Sequence, residues 1–185
     1  MGYTQQKYSG VKRVYHNIST GLTTYERIDR HQTKFDSTSE FKTFILLEEC
    51  LCGDDFEIEV HPVLSVDGTE WEIDFGISAN KDSPIASRQL AAIVNSVNGT
   101  EYLELSRIFV EYKGFQDKNF ITKMTNVVVN APMFSRTIIL VSEHVGAFGC
   151  YNSVRERFHC HPVTSIGILE RILRTNTSKT RGVTL

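Results

Sequence analysis

Two alternating runs that meet at Asp67-Gly68 constrain the fold more than any other feature of this sequence. Phe56, Ile58 and Val60 alternate with Glu57, Glu59 and His61, and Leu64 and Val66 keep the phase. Beyond the Asp-Gly step, Trp71, Ile73, Phe75 and Ile77 alternate with Glu70, Glu72 and Asp74. A period of two sends successive side chains to opposite faces of a strand, and Asp-Gly suits the left-handed backbone of a type I′ turn. A β-hairpin follows, apolar on one face and carboxylate-lined on the other. The carboxylates sit on the outward phase and read as a solvated surface. Pro62 lacks an N–H, so the first strand lies at a sheet edge or breaks there.

Other elements are read around this hairpin. Asp82-Ser83-Pro84 has the make-up of a helix start, with a capping side chain and a proline in the first turn. Ile85, Leu90, Ile93, Val94 and Val97 recur at helical spacing, and Asn98-Gly99 supplies a left-handed stop. Residues 41–48 form a short apolar run suited to a buried strand. Residues 102–112 read as a strand with a bulge near Arg107, and 120–129 and 134–145 as two more. Ile166, Leu169, Ile172 and Leu173 share one face of a closing helix, where Glu170 and Arg174 form an i,i+4 pair. The fold class expected is α+β: a mostly antiparallel β-sheet core with two helices and an extended N-terminal arm.

The organisation expected is a basic arm over residues 1–40, one β-rich globular domain over 41–175 and a polar basic tail over 176–185. A chain of 185 residues, 41% hydrophobic and 23% charged, can bury a core without disulfides or metal. It carries no apolar run of signal-peptide or bilayer-spanning length, so an intracellular protein with reduced thiols is expected. The net charge of −2 conceals a segregation: +2 over residues 1–40, −8 over 41–130 and +4 over 131–185. Positive ends beside a negative centre permit head-to-tail self-association or contact with an anionic surface.

Motifs for chemistry are sparse. Cys50, Cys52, Cys150 and His159 offer thiolates and imidazole for zinc, but their spacing is not that of a zinc module. No nucleophile elbow surrounds a serine, and no glycine-rich phosphate loop occurs. The expectation is a non-enzymatic protein with no catalytic residues, no cofactor and no small-molecule substrate. Tyr3, Lys7, Tyr8, Lys12, Arg13 and Tyr15 are the candidates for arm-mediated self-association, because tyrosine brings large contact area at low entropic cost. Lys7, Lys12, Arg13, Arg155, Arg157, Lys179 and Arg181 are the candidates for contact with an anionic surface. One alternative is a monomeric adaptor that meets a basic partner through Glu57, Glu70 and Glu72. A second is an enzyme or zinc-binding protein built on the Cys/His residues of 150–161.

In its size, its arm before a core near Phe41, its sheet-and-helix core and its basic ends beside an acidic centre, the chain resembles the matrix proteins of negative-strand RNA viruses. The plant rhabdovirus type is the nearest in layout. The chain differs from that family in having no PPxY or PTAP-type motif and a slightly negative net charge. The resemblance implies a structural virion protein that polymerises through its arm, coats a ribonucleoprotein and contacts the anionic inner leaflet of a membrane.

Overall fold

The computed structural model describes residues 12–51, 53–114, 118–143 and 163–177. Two compact units, Met1–Ile45 and Leu46–Leu185, divide the chain, and their boundary falls inside the first helix.

The smaller unit corrects the expectation of an extended arm. Strands β1 (Val14–His16), β2 (Thr23–Thr24) and β3 (Thr33–Phe35) form an antiparallel sheet in the order β2-β1-β3. Val14 and Phe35 are fully buried, and the rings of His16, Phe35, Phe41 and Phe44 meet at 5.1–6.0 Å between centroids. Polar side chains hold the loops between the strands. Asn17 Oδ1 accepts from the backbone N–H of Ser19 and Thr20, while its Nδ2 donates to Asp29. Gln32 Oε1 accepts from the N–H of Ile28 and Asp29. The Asp29 carboxyl is held below its ordinary range, chiefly by the His31 backbone N–H, with burial opposing and the Asn17 amide assisting. Local hydrogen bonds of this kind leave no apolar period to read.

Helix α1 (Thr38–Cys50) replaces the strand expected over 41–48. Its start is held by side-chain caps that the apolar run obscures. The Glu40 N–H donates to Ser37 Oγ at 3.0 Å, and the Glu40 carboxylate accepts from the Asp36 N–H at 2.9 Å. Phe44, Leu47 and Leu51 then recur at helical spacing, each at most 2% exposed.

In the larger unit a five-stranded sheet carries the core. β4 (Phe56–Val60), β7 (Phe75–Ala79) and β8 (Arg107–Tyr112) pair antiparallel. β9 (Ile138–Ser142) and β10 (Val163–Ser165) then add parallel, giving the order β10-β9-β8-β7-β4. The fold is α+β, and strand pairing among the described residues is antiparallel except at β8-β9 and β9-β10, which make this sheet mixed. The parallel step arises because α3 (Lys118–Asn130) and α4 (Pro132–Ser135) connect β8 to β9, where strands were expected over 120–129 and from 134. Phe120, Met124 and Val127 face one way at helical spacing, which the β-branched run at 127–129 masks. Five helices occur among the described residues, against two expected.

The hairpin and the central helix form as their local signals predict. Between β4 and β7, strands β5 (Val63–Val66) and β6 (Thr69–Glu72) pair around Asp67 and Gly68, whose φ of 47° and 75° are those of a type I′ turn. The chain departs from the main sheet at Pro62, and the tip makes a two-stranded sheet of its own. Helix α2 (Pro84–Asn98) has Ser83 as N-cap and Gly99, at φ 67°, as left-handed C-cap. It packs on β7, β8, β10 and on α5 (Ile166–Thr177), where Arg174 Nε bonds Glu170 as its spacing predicts. α3 covers the opposite face with a cluster of Trp71, Ile73, Phe109, Phe120, Met124, Val127, Ile138 and Leu140. β8 is thus buried on both sides from Ile108 to Tyr112. Its apolar phase slip marks the start of the strand at Arg107, not a bulge.

Candidate active site

Registers of β4, β7 and β8 bring three unlike side chains to one rim of the sheet. Val60 pairs with Phe75, and Phe75 with Val110. One step beyond these pairs lie His61 just after β4, Asp74 just before β7 and Glu111 inside β8. The bonds continue the row. The His61 N–H donates to the Asp74 carbonyl at 2.9 Å, and the Asp74 N–H donates to Glu111 Oε2 at 3.0 Å. The Tyr112 N–H donates to Asp74 Oδ2 at 2.7 Å. Strand period then puts Lys113 on the same face as Glu111, with Nζ 2.6 Å from Glu111 Oε1 and 5.1 Å from the centre of the Phe120 ring.

Burial makes this row chemically unusual. Glu111 is 1% exposed in the middle of an otherwise apolar strand, whereas His61, Asp74 and Lys113 are half-buried at the rim. A carboxylate taken from water that completely needs charge and hydrogen bonds in return, and Lys113 and the Asp74 N–H supply both. His61 takes a left-handed φ of 56°, rare outside glycine, and turns the chain into Pro62. One ring nitrogen of His61 and one carboxylate oxygen of Asp74 lie within 4.8 Å of each other. The Asp74 carboxylate and the His61 imidazole are ligand types that suit a divalent cation such as Mn2+ or Mg2+, the imidazole leaning toward Mn2+.

A second cation lies on the same face. Arg107 is ion-paired with Glu59 and sits 5.0 Å over the Phe109 ring. Its guanidinium presses on Gly76, where a Cβ would come within 2.7 Å of Nη2. Glycine at 76 is what allows so flat an approach.

The residues singled out from the sequence fall elsewhere. Lys12 and Arg13 are exposed, with Lys12 over the Tyr25 ring and Arg13 4.0 Å from Asp36, and Tyr15 is half-buried in β1. Cys50 is half-buried at the end of α1. Tyr3, Lys7, Tyr8, Cys52, Cys150, Arg155, Arg157, His159, Lys179 and Arg181 lie outside the described residues. Glu57, Glu59, Glu70 and Glu72 are exposed, as their phase predicts. Asp74 is the exception in that ladder, and the reading of it as a solvated carboxylate is corrected. The sequence motifs do not single out Glu111 and Lys113. Their signal was a lone acid inside Ile-Phe-Val-Glu-Tyr, followed by lysine.

Among the described residues, no helix is long and apolar enough to cross a membrane. Comparison with family models, curated proteins and solved structures found no match.

Proposed function

We propose that this chain is a divalent-metal-dependent phosphodiesterase acting on nucleic acid. One observation carries the reading: a buried carboxylate, Glu111, is tied both to Asp74 and to the Lys113 ammonium at a rim that His61 also reaches. Phosphodiester hydrolysis needs negative charge neutralised on the phosphoryl group and a water made nucleophilic at neutral pH. A divalent cation held by Asp74 and His61 would supply Lewis acidity and a more acidic water. Lys113 places a compact positive charge where charge develops on the phosphoryl oxygens. The backbone N–H of Tyr112 orients Asp74, and that of Asp74 orients Glu111, so neither carboxylate has to be organised when substrate arrives.

A polymer fits this rim better than a small metabolite does. Three of the four groups are half-exposed at strand ends, where a phosphate in a chain can be laid across them, rather than engulfed. Arg107 gives the same face a second cation for a neighbouring phosphate.

The test is cleavage of end-labelled single-stranded RNA and DNA in Mg2+, Mn2+ or EDTA. Cleavage should require metal, and Asp74→Asn, Glu111→Gln and Lys113→Ala should each slow it by about 100-fold or more. Mn2+ should raise the melting temperature of the wild type but not of Asp74→Asn. A wild type that neither cleaves nor is stabilised by either cation rejects the reading.

A second reading, self-association through the smaller unit and contact with anionic surfaces in the manner of a matrix protein, is favoured by a different observation. Ile18, Leu22, Tyr25 and Ile28 are 48–66% exposed in the loops of that unit, beside exposed Lys12, Arg27 and Arg30.

A further inference from the structure

We infer that Phe120, buttressed by Trp71, is a positioning residue that fixes the Lys113 ammonium over Glu111. The kinetic part of this inference rests on the phosphodiesterase reading. A lysine ammonium ends a flexible four-carbon stem and is not placed by its backbone alone. Among the described residues, the Lys113 ammonium lies 2.6 Å from Glu111 Oε1 and 5.1 Å over the face of the Phe120 ring. A ring face attracts a cation, and does so more strongly where water is excluded. Lys113 has a side chain only 27% exposed and Phe120 is 5% exposed, so this contact is largely desolvated.

Phe120 is in turn held from the far side. Trp71, the one tryptophan of the chain, meets it edge-on at 6.2 Å between centroids and is 3% exposed. Trp71 belongs to β6, whose hairpin is pinned to α3 by the Asn126 amide on Thr69 Oγ1 at 3.3 Å. The root of that hairpin carries His61 and Asp74. One element therefore bears two groups of the site at its base and, nearer its tip, the ring that backs the support of a third. The row on the sheet and the ammonium beside it are set by a single packing arrangement.

A purely structural Phe120 would be replaceable by any apolar side chain of similar volume. A positioning Phe120 needs its π face. In the full-length protein, the ε-methylene protons of Lys113 should resonate upfield from the ring current of Phe120. Trp71→Leu keeps the Phe120 ring in the chain but removes what holds it over Lys113, and should move these protons back downfield. Phe120→Leu should lower kcat about 10-fold on the labelled oligonucleotide, with KM within about 2-fold. Phe120→Tyr keeps the ring and should restore kcat to within about 2-fold of wild type. The inference is overturned by unshifted Lys113 protons in the wild type, by a Phe120→Leu variant as fast as wild type, or by Phe120→Tyr failing as Phe120→Leu does. If Phe120→Leu does not fold, Phe120→Tyr and Trp71→Leu carry the comparison. A wild type that cleaves nothing rejects the phosphodiesterase instead, and the Lys113 proton shift then decides the positioning alone.

Discussion

His61 combines two properties that pull in opposite directions. Its φ of 56° costs about 1 kcal/mol relative to glycine, and its ring is one of the groups within reach of Asp74. The neighbouring left-handed residue, Asp67, has an evident use in the turn at Asp67-Gly68. At His61 the conformation serves to leave the main sheet at Pro62, which glycine would do with less strain. Strain kept where a better residue for the backbone exists points to the side chain. His61→Gly is therefore expected to keep or raise thermal stability, by up to about 1 kcal/mol. It should also weaken Mn2+ binding at least about tenfold by calorimetry. Loss of stability with unchanged affinity would make His61 a backbone residue only. Glu111 is the counterpart in legibility. An acid among Ile108, Phe109, Val110 and Tyr112 contradicts its surroundings, and such contradictions concentrate at functional sites. Asp74 gave no such sign, because an alternating carboxylate ladder at 70–74 hides which member turns inward.

Elements were legible where their signals are local. The type I′ turn at Asp67-Gly68 and the helix between Ser83 and Gly99 are each written in a few adjacent residues, and both form there. α1 and α3 read as strands in the sequence because a short apolar run cannot distinguish period 2 from period 3.6. In α1 the deciding signal lies upstream, at Ser37 and Glu40. Ser37→Ala should cost about 1 kcal/mol, since it removes the acceptor for the Glu40 N–H, and thermal melting would register it. Ser37→Asp, which keeps an acceptor and adds a charge favourable at a helix N-terminus, should match or exceed wild type. Equal melting of wild type and Ser37→Ala would show that packing of Phe44 and Leu47 holds the helix without its cap. The candidate site was illegible for the opposite reason. Its members come from positions 61, 74, 111 and 113, and only the pairing of three strands makes them neighbours.

At the scale of the whole molecule, the expected arm and the observed smaller unit carry different physics of association. A basic arm binds through Lys7, Lys12 and Arg13, and its attraction fades as salt rises. Exposed Ile18, Leu22, Tyr25 and Ile28 bind by removing apolar surface from water, which salt does not weaken. Burying Ile28 alone would contribute roughly 1.5–3 kcal/mol, enough to matter when several copies repeat the contact. The contact expected is therefore apolar. Light scattering coupled to size exclusion should show mass rising above 21.0 kDa with concentration and persisting at high salt. Ile28→Ser with Ile18→Ser should return the chain to monomer without unfolding it, since both side chains already face water. Mass that collapses at high salt would instead assign association to the basic residues. A strict monomer at every concentration would remove self-association altogether.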